Sequence, residues 1–504
     1  MSEIRQSPAG PDRDRTPGEV AGAAAPGGAA AATAGAETVV FESDWLGSVP
    51  FFYDLRSGRA GHDINAVIDP AEVEFDPEGL NDYLDFGYSV FGRTPVRGVH
   101  VLRHSSRLLR GPDGLRVEAL DDPTLSWFDR ESTVDEVVET AGAAVNAAAA
   151  ASRGDVVVPT SGGYDSRFID LLLADRSRVR AFTYGTADRP ELSPDVVKAA
   201  EVARRLGLDW RQIAIGDFHR LFDEWDALFG PAVHAHGMYQ LEFYRALAPL
   251  VAPGSLVISG AFGDSLAGVD DGMVMKVPVL DDPDDLLTVF RYGAMCGDSS
   301  QSVFPRRRDG WRRLLDEDPR LRTEMLPRVV WMLREQTTFF SYMYRLPAAV
   351  GLESRAPFVD PGLARLMLTL PPGLRRERAW QRELFAAHGV DLERAGLSYD
   401  WRNTLNLRAM RRVPLEPLDP VLLREVVRPD YVRWANRHAG RYGLPWEAFV
   451  RLGWQRGFRR LVKALRAAGV DDQRLPAYFA YLTLRPLQKL IERRDRARRA
   501  EAVS

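Results

Sequence analysis

One stretch limits the folds open to this chain more than any other: Val156-Val157-Val158-Pro159-Thr160-Ser161-Gly162-Gly163-Tyr164-Asp165-Ser166-Arg167. A short β-branched run suits a buried parallel strand. Phe168, Leu171 and Leu172 then recur at helical spacing, so the turn from Ser161 to Gly163 falls between a strand and a helix N-terminus. Anions bind at such places. Gly162 and Gly163 can take positive φ and let a phosphate approach the backbone, successive N–H groups point outward, and the helix dipole adds partial positive charge. Ser161 and Ser166 offer hydroxyls. A Walker loop is excluded, because it needs G-x-x-x-x-G-K-[ST] and no lysine lies within thirty residues of the stretch.

With 504 residues, 45% of them hydrophobic, the chain can bury two or three sizeable cores. Its one cysteine, Cys296, rules out a disulfide framework and a thiolate zinc cluster, and a reducing cytoplasm is expected. A net charge of −4 argues against nucleic acid as a partner, although Arg493-Arg494 to Arg498-Arg499 make a basic end, read as a solvated helix terminus. Only Lys198, Lys276, Lys463 and Lys489 could supply lysine chemistry. No run of eighteen apolar residues is present to span a membrane, and the early Asp and Arg do not suit a secretory signal.

Residues 1–37, rich in Ala, Gly and Pro, are expected to be disordered. Residues 38–130 read as a small β-rich domain. Val49 to Tyr53, Ser57-Gly58 and Ala66 to Ile68 suggest hairpin material, Asn81 to Gly87 a helix, and Leu102 to Val117 two strands about Pro112-Asp113-Gly114. A helix capped by Ser132 leads into the phosphate loop. Thereafter strands at Val179–Tyr184, Gln212–Ile215 and Leu256–Ile258 alternate with helices at Asp195–Leu206 and Tyr239–Leu250. This is an α/β pattern, a doubly wound parallel sheet over residues 131–485, with 486–504 as a basic terminal helix. Ligand is expected at the carboxyl ends of the strands.

S-G-G-x-D-S after a strand closely resembles the signature of the PP-loop ATP pyrophosphatases, whose loop grips the β,γ-pyrophosphate of ATP. Two further stretches narrow the likeness. Ser259-Gly260-Ala261-Phe262-Gly263-Asp264-Ser265-Leu266-Ala267-Gly268 resembles the "S-G-E-G-A-D-E-L-F-G-G" of the asparagine synthetase family. Gly351 to Asp360, preceded by Arg345, resembles its "G-L-E-x-R-x-P-F-L-D". That branch also contains β-lactam synthetases and lasso-peptide cyclases. More loosely, Asp44 to Tyr53, Phe86-Gly87-Tyr88 and Arg97-Gly98-Val99 resemble the second half of the family's N-terminal Ntn-type glutaminase domain, here truncated. Ser2 stands where that glutaminase has its cysteine, so glutamine hydrolysis is not expected.

The resemblance implies ATP and Mg²⁺ as cofactors, with Asp165 and Asp264 as metal ligands. From the residues alone, Asp165 could also cap the following helix and Asp264 sit in an Asx turn, with the metal reading preferred for the two together. It further implies that Ser161, Gly162, Gly163 and Ser166 cradle phosphate and that Thr160, Tyr184, Ser259 and Gly260 line adenine and ribose. The family glutamate is replaced by Ala261, its next glycine by Phe262, and its later lysine is missing. Arg402 is the nearest cation in sequence and the candidate catalytic substitute. His234 and His236 straddle Ala235 and would share a face in a strand, while Glu353, Arg355 and Asp360 could form an ion-pair network. The expected function is ATP-dependent adenylation of a small-molecule or peptide carboxylate and its joining to ammonia or an amine, donated free or by a separate protein. A nucleotide-binding scaffold and a PP-loop tRNA-modifying enzyme are the alternatives.

Overall fold

The computed structural model describes residues 37–290, 297–306, 309–439 and 473–502, together with 460, 461 and 464. The tail expected to be disordered therefore lies outside the described residues but for Glu37, as do Cys296 and Lys463. The chain enters through two small antiparallel sheets. Strands β1 (Thr38–Glu42), β2 (Phe52–Asp54), β3 (Ala60–Gly61), β4 (Val99–Val101), β5 (Ser106–Gly111) and β6 (Gly114–Ala119) assemble in the orders β1-β5-β6 and β3-β2-β4. The expected hairpin about Pro112-Asp113-Gly114 is β5-β6. Ala66 to Ile68, expected as a strand, instead lies in and after a short helix, Ile64–Val67, which Asp63 caps.

The helix before the phosphate loop, Val134–Ala151, begins one residue later than expected. Thr133 and Glu136 form a reciprocal capping box, and the Ser132 hydroxyl is committed to the Leu366 carbonyl. The chain then builds a parallel five-stranded sheet from β7 (Val156–Pro159), β8 (Val179–Tyr184), β9 (Asp209–Ile213), β10 (Leu256–Ile258) and β11 (Glu353–Arg355), in the order β11-β10-β7-β8-β9. Val156, Val157 and Val158 are at most 3% exposed, as a strand covered on both faces requires. Since β7 is central, its loop emerges between the turn that follows β10 and the end of β8. The mixed α/β architecture with a parallel sheet is thus present.

A 28-residue helix, Arg474–Glu501, closes the described chain. The boundary expected after residue 485 falls inside it, and its buried residues continue to Ile491. Its basic end is partnered as well as solvated. Arg493 pairs with Asp226 at 2.6 Å, Arg494 with Glu425 at 2.7 Å, and Arg498 donates to the Ala71 carbonyl at 2.9 Å. Glu37 to Ser504 is one compact unit. Among its described residues no helix is long and apolar enough to cross a membrane.

Candidate functional site

The phosphate loop is braced from within. The Ser166 hydroxyl accepts the Ser161 N–H at 3.1 Å, and the Ser161 hydroxyl accepts the Gly163 N–H at 3.1 Å. Gly162 takes φ of 66°, whereas Gly163, expected to be free for the same region, is extended at φ −65° and serves as the N-cap of the helix Tyr164–Leu172. No side chain caps that helix, so its first N–H groups remain available to an anion. Gly162 is also packed too tightly for any side chain, because a Cβ there would lie 2.4 Å from the Cβ of Lys198. Behind it, buried Arg167 donates to the Gly162 carbonyl at 2.7 Å and forks onto Glu393 at 3.0 and 3.2 Å. Burial opposes ionisation of Glu393, but Arg167 outweighs it and pulls that carboxyl down to about 2.

Asp165 projects from the first turn of this helix against the turn after β10. A Cβ on Gly260 would come within 2.8 Å of the Asp165 Cβ, and one on Gly263 within 2.9 Å of its carboxyl carbon. These two glycines allow the approach. Asp264 sits at the start of the short helix Gly263–Leu266, exposed beside the half-buried Asp165. Burial and the neighbouring charge of Asp264 push the Asp165 carboxyl up to about 8, against the opposing pull of Arg378 and of the Asp264 backbone N–H. Two facing carboxyl groups at the ends of adjacent strands are an oxygen donor set suited to a hard divalent cation. Mg²⁺ is held in this way, by one or two carboxylates completed by water and phosphate oxygens. Among the described residues no cluster of three or more His, Cys, Asp or Glu is poised to hold a metal alone.

Backbone strain collects here. Phe262, where the resembled family has glycine, is left-handed at φ 63°, its ring 5.3 Å from Phe340. Glu377 and Arg378 are left-handed in succession, at φ 50° and 55°. That bend brings the Arg378 guanidinium 3.4 Å from Asp165 and 4.2 Å over the Tyr164 ring. Arg378 is therefore the cation beside the carboxylates. Arg402, expected there, is instead held by Asp400 at 2.5 Å and lies 3.9 Å from Asp188. Lys198, one of the four lysines available, stands beside Gly162, with its ammonium over the rings of Tyr399 and Trp401 at 5.6 and 5.9 Å. The sequence carried no local signal for Arg378.

The other expected residues lie at the ends of the neighbouring strands. Thr160 is wholly buried, its hydroxyl on Asp170 at 3.0 Å, its N–H on the Val158 carbonyl at 2.9 Å and its carbonyl accepting from the Thr183 hydroxyl. Tyr184 ends β8 with its hydroxyl accepting from Gln240 at 3.0 Å. Ser259 donates its N–H to the Arg355 carbonyl at 2.8 Å and accepts the Ala261 N–H at 3.2 Å on its hydroxyl. His234 and His236 lie on a 3-10 turn instead of a strand, with rings nearly parallel and 5.7 Å apart. The expected ion-pair network does not form: Glu353 pairs outward with Arg153 at 2.8 Å, Arg355 donates to the Ser354 carbonyl, and Asp360 caps the helix Pro361–Leu368. A cavity of about 270 Å³ opens elsewhere, lined by Tyr53, Arg93, Arg103 and Arg313 among others and by none of the phosphate-loop residues.

No family model matches the chain, and no curated protein matches it. Among solved structures, an NH3-dependent NAD synthetase from Campylobacter jejuni, in complex with nitrate, aligns with 51% of this chain and 96% of its own. Identity there is 14% and the TM-score 0.21, a likeness too slight to bear on the chemistry.

Proposed function

We propose that the protein is an ATP-dependent ligase of the asparagine-synthetase type, which adenylates a carboxylate and joins it to a nitrogen nucleophile. The observation that carries this reading is the meeting of Asp165 and Asp264, from the ends of two adjacent parallel strands, beside an uncapped helix start. The uncapped first N–H groups of the helix Tyr164–Leu172 and its dipole hold the β,γ-phosphates, and Arg378 adds positive charge beside Asp165. Asp165 and Asp264 would hold Mg²⁺, which when bound offsets phosphate charge. Held there, the α-phosphorus is open to the acid, and the departing pyrophosphate stays against the loop.

A scaffold that binds nucleotide without turnover is the second reading, favoured by Ala261, which leaves no ionisable group at the turn where the resembled family has glutamate. Exchange of labelled pyrophosphate into ATP, run against a panel of acids, separates the two, because a scaffold retains ATP and exchanges nothing. The ligase reading expects acid-dependent exchange that Asp165→Asn and Asp264→Asn each reduce by about 100-fold without lowering the melting temperature. Wild-type exchange in either variant removes that aspartate from the site.

A further inference from the structure

Between the ends of β8 and β10, reaching beyond the residues expected at adenine and ribose, stands a set of packed rings. From the β10 side, Phe262 meets Phe340 at 5.3 Å, Phe340 meets Phe339 at 5.1 Å, and Phe339 meets His234 at 5.3 Å. From the β8 side, Tyr184 meets Tyr239 at 5.8 Å, and Tyr239 meets His236 at 5.5 Å. The two series join at the histidine pair, and Phe479 of the C-terminal helix packs on His236 at 5.2 Å. Tyr184, His236, Tyr239, Phe339, Phe340 and Phe479 all remain partly exposed. His234 is 2% exposed, and its Nδ1 has no hydrogen-bond partner. Among the described residues no carboxylate pairs with either imidazole, and no Arg or Lys stacks on these rings.

A site of this composition suits one substrate of the pair and not the other. The carboxylate substrate would meet no cation here to offset its charge, whereas an amine finds apolar surface and aromatic faces that attract an ammonium group. An amine also needs a base, since an ammonium nitrogen has no lone pair to attack with. The turn after β10 offers none free, because Ala261 stands where the resembled family has glutamate and Asp264 is assigned to the cation. We infer that this ring cluster is the acceptor site for an amine with an apolar or aromatic side group, and that the His236 imidazole takes the proton from the bound ammonium so that its nitrogen can attack. The inference rests on the ligase reading.

In the step, the amine nitrogen bonds to the acyl carbon, and the bond from that carbon to the phosphate oxygen of the adenylate breaks. The bound ammonium first gives one proton to the imidazole and through it to water, AMP then departs with the electron pair, and the proton shed by the acylated nitrogen leaves on the AMP phosphate. His234, Tyr239 and Phe479 are the groups that face His236, and none of them is a charged partner. Burial holds both imidazoles below the ordinary histidine range, His236 down to about 4, so each is neutral and able to accept a proton under working conditions. The same low polarity lowers the basicity of a bound ammonium, which favours transfer of its proton to the imidazole.

The test uses phenethylamine as the probe amine and hydroxylamine as a nucleophile that is unprotonated at about pH 8 and needs no base. Titration of phenethylamine into the full chain, labelled with ¹⁵N in its histidines, should shift the imidazole signal that disappears in His236→Gln, while methylamine should not. In the same variant, the ratio of phenethylamide formed to pyrophosphate exchanged should fall by about 100-fold, and the ratio of hydroxamate to exchange should hold. A silent His236 signal, or an unchanged amide ratio in His236→Gln, overturns the proposal. Absence of acid-dependent exchange in the wild type overturns the ligase reading instead, and the imidazole titration still decides whether the ring cluster takes an amine.

Discussion

Two neighbouring glycines answer to different constraints, and only one has the conformation their shared motif suggests. Gly162 is left-handed and faces Lys198 with no room for a Cβ, whereas Gly163 is extended and a Cβ there would meet only the Ser161 hydroxyl, at 3.0 Å. Gly162→Ala should therefore cost about 3 kcal/mol, by combining left-handed strain with overpacking, and Gly163→Ala should cost well under about 1 kcal/mol. Denaturant midpoints measure both, and equal losses would mean that the tight packing around Gly162 relaxes. The loop was legible because its chemistry is contiguous, each residue type at a fixed offset from its strand. Arg378 was not. It reaches Asp165 across 213 positions through two left-handed residues with no glycine to announce them, whereas Arg402, nearer in sequence to the place of the family lysine, is tied to Asp400.

At the scale of elements, the join between β7 and the helix Tyr164–Leu172 is held by Asp170, which accepts from the Thr160 hydroxyl at 3.0 and 3.1 Å in a fully buried setting. Burial pushes this carboxyl from 3.8 up to about 7, against the Thr160 hydrogen bond and the more distant Arg176. A carboxyl raised on folding binds its proton more tightly in the folded chain. Its stabilising contribution is complete below 3.8 and is lost as pH rises through about 7. Asp170→Asn should remove part of the fall in melting temperature between about pH 5 and about pH 8, and an unchanged slope would place the Asp170 charge in a better-solvated setting. Elements with their own periodicity, such as β8 and the helix Pro194–Leu206, were legible to within a residue. Strand β11 was not, because Glu353-Ser354-Arg355 shows no apolar alternation and is a strand only by pairing with β10 at the sheet edge.

For the whole molecule, the expected boundary near residue 130 does not divide two cores. The Trp45 indole donates to the Val359 carbonyl at 2.9 Å, buried Arg334 donates to the Trp45 carbonyl at 2.9 Å, Asn65 reaches the Asp226 carbonyl at 2.8 Å, and the Tyr83 hydroxyl reaches the Thr483 carbonyl at 3.0 Å. A chain begun at residue 131 would expose apolar surface now buried against these residues and leave Arg334 without part of its partner set. It should aggregate or melt without a cooperative transition. A sharp melt near that of the full chain would show that the part from residue 131 onward folds alone. Composition could not reveal this, because the turn-rich stretch from residue 38 reads as a separate module when only neighbours in sequence are compared. The interlocking also bears on descent. Shuffling that replaced the first hundred residues with a foreign segment would have to reproduce an indole, an amide and a phenol at matching positions in one event, so the two parts are bound to change together, by paired substitution and not by exchange.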